Sequence, residues 1–149
     1  MQDQINNVLF PTDFSDLSVA ALPLAMDLAA KYGAKLHCLY VVEEPQIYSS
    51  LEMGSVAIPT SGELKESAQT RMEKFSQELL ADSPHGYSSK VVIGHAATEV
   101  VNYAKEVGAD MIIMATHGYS GVKHVMLGST TEDVLRHAGC PVLSVRGGT

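Results

Sequence analysis

The chain is 149 residues long, within the roughly 100–200 that one compact domain takes, which predicts a single core and excludes a tandem of domains. Hydrophobic residues make up 46% and charged residues 18%, a balance that fills a core and is unlike that of a disordered chain. Ten Lys and Arg against seventeen Asp and Glu leave a net charge of -7 with no basic tail, which excludes a general affinity for DNA, RNA or an anionic membrane.

The opening MQDQINN is polar and lacks an apolar signal core, so the cytoplasm is the expected compartment. From Ile5 to Pro11 the sequence rises into an apolar run, the first of five predicted strands. A helix is expected from about Asp16 to Tyr32. Its most apolar part, Val19 to Ala30, contains Pro23 and Asp27 and is too short to span a bilayer. Pro23 inside that helix removes a hydrogen bond at about 3 kcal/mol and predicts a kink without a break. Gly33 is placed to stop the helix, and Lys35 to Val42 forms the second strand.

Residues 43–62 hold two prolines, two glycines and several serines, and exceed the usual strand-to-helix connection. They read as a lid, an interface element or a disordered insertion. Beyond them, Leu64, Ala68, Met72, Phe75 and Leu79 have helical spacing. A third strand is expected from Tyr87 to Gly94, a helix ending near Gly108, a fourth strand from Asp110 to Thr116, a last helix opening at Ser129 to Thr131, and a fifth strand from Pro141 to Arg146. Runs such as LHCLYVV and DMIIMA are apolar at consecutive positions, as in strands covered on both faces. The alternation therefore predicts an α/β fold with an open five-stranded parallel sheet and helices on both faces. There is no internal repeat and no low-complexity tract.

Two cysteines, Cys38 and Cys140, lie far apart with no zinc-type cluster, which predicts buried reduced thiols. No G-x-G-x-x-G follows the first strand, which ends in Pro11, Thr12 and Asp13, so a dinucleotide-binding crossover lacks its pyrophosphate turn. No G-x4-G-K-[ST] occurs, and Gly118-Tyr119-Ser120-Gly121 is one residue too short for a nucleophile elbow. The six histidines are scattered, with no H-E-x-x-H.

The most informative stretch follows the fourth strand: Ala115-Thr116-His117-Gly118, nine residues from Tyr119 to Leu127, then Gly128-Ser129. Small residues let backbone amides approach a phosphate, and the opening of the last helix favours an anion. Lys123 and His124 make this loop locally basic in an acidic chain. The same residues have a purely structural reading, because Ser129-Thr130-Thr131-Glu132 matches a capping box.

With VLFPTDFS at Val8 to Ser15, LYVVEE after the second strand, DMIIMATHG at Asp110 to Gly118 and LGSTTEDVLRHAGCPVLSV at Leu127 to Val145, the sequence resembles the universal stress protein family, in particular its nucleotide-binding branch. The resemblance covers essentially the whole chain. That branch's ATP motif reads G-x2-G-x9-G-[ST]. Gly118, the nine-residue spacer, Gly128 and Ser129 fit it in register, and Ala115 replaces its first glycine. That alanine would matter most if its position required positive φ.

The resemblance implies strand order 3-2-1-4-5, an adenine-nucleotide alpha-hydrolase-like fold, and a ligand that is ATP or another adenine nucleotide, with Mg2+ or Mn2+ as an accompanying ion. It implies that Pro11, Thr12 and Asp13 contact the adenosine end, with Asp13 an acceptor, and that Val41 lines the adenine pocket. Met114 and Ala115 would flank the nucleoside. Gly118, Gly128, Ser129, Thr130 and Thr131 would hold the phosphates, with His117 beside them. Asp13 has the alternative of capping the first helix, and Val41 and Met114 that of simple core residues.

The last strand, Val142 to Arg146, is expected at a sheet edge, and the resemblance implies that it pairs across a homodimer. The implied function is a homodimeric, ATP-binding stress-response module without efficient turnover. Two alternatives stand beside it: a slow Mg2+- or Mn2+-dependent ATPase or phosphotransferase, and a dimeric interaction protein that binds no nucleotide.

Overall fold

The apolar runs pair side by side into one sheet. In the computed structural model, which describes residues 4–43, 59–116 and 127–146, the strands are β1 (Asn7–Pro11), β2 (Lys35–Val42), β3 (Tyr87–Ile93), β4 (Met111–Ala115) and β5 (Val142–Val145). Their order is β3-β2-β1-β4-β5 and every pairing is parallel. The β2/β3 ladder runs from Leu36 opposite Tyr87 to Val42 opposite Ile93. The β1/β4 ladder is short, with Val8 opposite Met111 and Leu9 opposite Ile112. At its foot, the Asp110 carboxylate accepts hydrogen bonds from the backbone of Asn6 (2.8 Å) and Asn7 (3.0 Å).

Helices cover both faces, which is why the strands carry consecutive apolar residues. These are α1 (Asp16–Val19), α2 (Leu22–Tyr32), α3 (Ser61–Phe75, continued by a π-helical turn Ser76–Leu80), α4 (Ala96–Val107) and α5 (Ser129–His137). Val8, Phe10, Leu36 and Ile113 pack with Leu22, Ala25, Met72 and Phe75 on one face. Leu9, Leu39, Ile112 and Met114 pack with Val100, Tyr103 and Val134 on the other. Gly33 (φ 67) and Gly108 (φ 64) end α2 and α4 in the left-handed region, as their positions predict. Among the described residues no helix is long and apolar enough to cross a membrane.

Three details differ from expectation. Pro23 does not kink a continuous helix: α1 stops at Val19 and α2 begins at Leu22, so Pro23 lies in a first turn, where its missing N–H removes no hydrogen bond and the expected penalty vanishes. In α3 the apolar series holds through Phe75 and then slips by one residue. The π turn accommodates an extra residue, leaving Leu79 exposed and burying Leu80 completely. The capping box that Ser129 to Glu132 match as the alternative structural reading does not form, as described below. Of the long connection at 43–62, residues 44–58 lie outside the described residues; Thr60 caps α3 by accepting from Glu63 N at 3.1 Å.

His37, buried in β2, uses both ring nitrogens, Nδ1 with Ser88 Oγ at 2.7 Å and Nε2 with Asn7 Oδ1 at 2.9 Å. Burial, then the charge of Lys35, lowers its pKa from the ordinary 6.5. The unfolded chain therefore takes up this proton more readily than the folded one. The His37 contribution is complete above about pH 6.5 and is lost as pH falls from there toward the folded value. Urea midpoints should drop between about pH 8 and about pH 5, and the drop should shrink in His37→Gln. An equal drop in that variant would clear His37 as the source.

Candidate functional site

In an open parallel sheet, ligands lodge beyond the carboxyl ends of the strands where the order reverses, here between β1 and β4. A cavity of about 270 Å3 lies at that point. Pro11, Thr12 and Asp13 enter it from the end of β1, Val41 from β2, and Met114 and Ala115 from the end of β4. Gly128, Ser129, Thr130 and Thr131 close it from the start of α5. Every candidate site residue within the described part of the chain thus lines one cavity. His117 and Gly118 lie outside the described residues, as do Lys123 and His124.

The end of β1 is held by a cluster of hydroxyls. Thr12 Oγ1 and Ser18 Oγ are 2.7 Å apart, Thr12 Oγ1 accepts from Phe14 N (3.0 Å) and Ser18 Oγ accepts from Asp13 N (3.2 Å). Asp13 Oδ1 accepts from both the backbone N–H and the hydroxyl of Ser15. Ser15, not Asp13, caps α1 by accepting from Ser18 N at 3.1 Å. Asp13 therefore buttresses the cap from the cavity side. To make this reversal Phe14 takes φ 64, the one non-glycine residue at positive φ among the described residues. For a residue with a side chain that conformation costs about 1–2 kcal/mol.

Met114 is both core and wall: it is buried in the cluster with Leu9, Leu39 and Val100 and also faces the cavity. Val41 packs against the same cluster from its half-buried position. Ala115, where the motif has glycine, does not adopt positive φ, so its methyl adds bulk without backbone strain. Its carbonyl accepts from the buried Thr131 hydroxyl at 2.9 Å, tying α5 to the end of β4.

At the start of α5, Ser129 is already helical, so the cap position falls on Gly128 (φ -59, ψ 150), which has no side chain to offer. Gly128 N donates to Thr116 O at 2.8 Å, and Glu132 pairs with Arg136 at 2.7 Å instead of reaching back. The first turn of α5 thus meets the cavity with no side-chain cap, and the one carboxylate in that turn, Glu132, is engaged by Arg136. Such an end favours an anion.

Sequence reading missed several lining residues. Tyr40 and Leu39 adjoin Val41 in a strand that reads as uniform core, and Ala96 and Val100, four apart, mark one face of α4. Ser18 also lines the cavity, and only its place three residues after the capping Ser15 signals it. Cys38 is buried as expected whereas Cys140 is only partly so; burial raises the pKa of both thiols, that of Cys140 with help from the charge of Asp110, so neither is a ready nucleophile. Among the described residues no group of three or more His, Cys, Asp or Glu is placed to hold a metal ion.

A family model described as the universal stress protein family matches residues 4–146. The chain belongs to that family. Universal stress protein MJ0531 of Methanocaldococcus jannaschii is 32% identical over 139 residues, spanning 93% of this chain and 81% of the relative. Universal stress protein MJ0577 of the same organism is 31% identical over 159 residues and 98% of each chain. The solved structure of MJ0577 matches this universal stress protein with a TM-score of 0.80 at 30% identity, over 98% and 99% of the two chains. A universal stress protein crystallised in complex with cAMP shares the fold, with a TM-score of 0.71 at 23% identity over 98% and 100% of the chains.

Proposed function

We propose that this universal stress protein binds an adenine nucleotide, ATP or a relative of it, through the ten lining residues Pro11, Thr12, Asp13, Val41, Met114, Ala115, Gly128, Ser129, Thr130 and Thr131, and acts in the stress response as a nucleotide-dependent module without efficient turnover. The observation that carries this is the convergence of four separated stretches of sequence on one cavity whose chemistry changes from end to end. Apolar Val41, Leu39 and Met114 offer a wall for a flat base, Asp13 supplies an acceptor, and the uncapped turn of α5 offers N–H groups for phosphate. The volume, about 270 Å3, falls just below the roughly 300–1,000 Å3 of small-molecule sites, which suits a nucleoside with its phosphates directed outward. A second space of about 670 Å3 adjoins at Ser129 and Thr130, where phosphates would lie at the start of α5; its other walls include His95 and the carboxylates of Glu43 and Asp133. With no three-ligand cluster among the described residues, Mg2+ or Mn2+ would be carried by the phosphates, whose charge it would screen. That a relative of the same fold was crystallised with cAMP also supports an adenine ligand.

The reading includes a homodimer paired through Val142 to Arg146 and a cytoplasmic location. β5 is an edge of the sheet and Leu143 is exposed on it, an arrangement that favours pairing. The test is thermal melting with ATP, AMP and cAMP, with and without Mg2+, on protein whose absorbance spectrum is free of adenine. At least one nucleotide should raise Tm, because a ligand selective for the native state stabilises it. Light scattering on the same sample should give twice the 15.9 kDa of one chain. No shift with any nucleotide would replace this reading with a protein that works through protein partners alone.

A further inference from the structure

Phe14 spends backbone strain in order to place a ring. Its φ of 64 is a conformation that glycine adopts freely, yet the side chain present is large, apolar and buried. The ring lies 4.7 Å from that of Tyr40 in β2 and 5.4 Å, edge-on, from that of Phe75 in α3, with the Arg71 guanidinium 4.8 Å above it. Phe14 faces an adjoining cavity of about 460 Å3, which shares Asp13, Tyr40, Val41, Ala96 and Thr130 with the first. The ring thus lines the second cavity beside the first, and its own backbone N–H is bonded to Thr12 Oγ1. The residue before it carries the carboxylate that faces the candidate ligand, and the residue after it holds that carboxylate through two hydrogen bonds. An observed backbone outlier beside a site is a sound starting point for a functional role.

We infer that Phe14 is a positioning residue: its ring, clamped by Tyr40, Phe75 and Arg71, fixes the reversal after β1 and so aims the Asp13 carboxylate at the adenosine end of the ligand. This rests on the adenine-nucleotide reading above. Because Arg71 and Phe75 belong to α3, the clamp also makes the setting of Asp13 depend on where α3 sits. Tyr40, in ring contact with Phe14, lines both cavities, as does Asp13 itself.

The test combines calorimetric titration with cAMP and ATP and amide exchange of the ligand-free protein, in wild type, Phe14→Gly, Phe14→Leu, Asp13→Asn and the double variant Asp13→Asn with Phe14→Gly. Glycine keeps the backbone conformation accessible while removing the ring, and leucine keeps apolar volume should the glycine variant fail to fold. Phe14→Gly should weaken nucleotide binding about tenfold or more at temperatures well below its melting, Phe14→Leu by less, and the loss should fall below about twofold in the Asp13→Asn background. Exchange at the Phe14-position and Ser15 amides, which are bonded to Thr12 and Asp13, should accelerate at least about tenfold in Phe14→Gly. Equal losses of affinity with and without the Asp13 carboxylate, or unchanged affinity, would overturn the inference and leave Phe14 as packing only. If wild type binds no nucleotide, the adenine reading fails. Exchange then decides the positioning role by itself, unchanged protection at these two amides counting against it.

Discussion

Gly128→Val is expected to abolish the thermal stabilisation that an adenine nucleotide confers while leaving the ligand-free protein folded. At a free concentration one hundred times its dissociation constant, a ligand adds about 2.7 kcal/mol to native stability. For a domain of this size each 1 kcal/mol moves Tm by about 2–4 °C, so wild type should gain about 5–11 °C on those two figures. Gly128 has φ -59 and ψ 150, an extended conformation open to any residue, so valine meets no backbone penalty there. What it adds is a branched side chain on the cavity wall, beside the first turn of α5. Differential scanning with and without nucleotide separates the two effects. A variant that melts like wild type without ligand and still gains the full shift would remove the α5 entrance from the site.

Phe10→Ala should produce the largest loss of stability. Phe10 is fully buried in the central strand β1, directly opposite Cys38 of β2, and belongs to the cluster shared by α2 and α3. Truncating a buried phenylalanine costs about 3–5 kcal/mol through lost transfer energy and the void left behind. The corresponding fall in Tm is about 6–20 °C. Urea denaturation should show the lower midpoint with an unchanged slope. A loss under about 1 kcal/mol would mean that the neighbouring side chains close the void.

The sheet was legible because its signals are local and strong. Apolar runs of strand length alternating with helical periods, two of which stop at Gly33 and Gly108, leave few alternatives to a parallel α/β sheet. The details that were not legible depend on where the chain is already committed. Pro23 is compatible with a kinked helix or with the first turn of a new one, and only the break after Val19 decides. Leu79 and Leu80 are both apolar, so the π turn that exchanges their roles leaves no mark in composition. The capping box at Ser129 is a matter of register: starting the helix at Ser129 moves the cap to Gly128. For the site, resemblance to a family named ten residues that the fold brings to one cavity. Phe14 stayed hidden, since a positive φ on an aromatic residue has no sequence signal.

The short β1/β4 ladder is a seam within the sheet. It joins a three-stranded half of the sheet, β1 to β3, to a two-stranded half, β4 and β5, through Val8–Met111 and Leu9–Ile112. The two Asp110 bonds fasten the lower end of this seam. The upper end opens into the cavity, with Pro11 to Asp13 on one bank and Met114 and Ala115 on the other. A molecule seated there is a rivet across the join, touching both halves where the backbone pairing has run out. If unfolding begins by parting these halves, an occupied cavity lengthens the life of the native state by slowing that first separation.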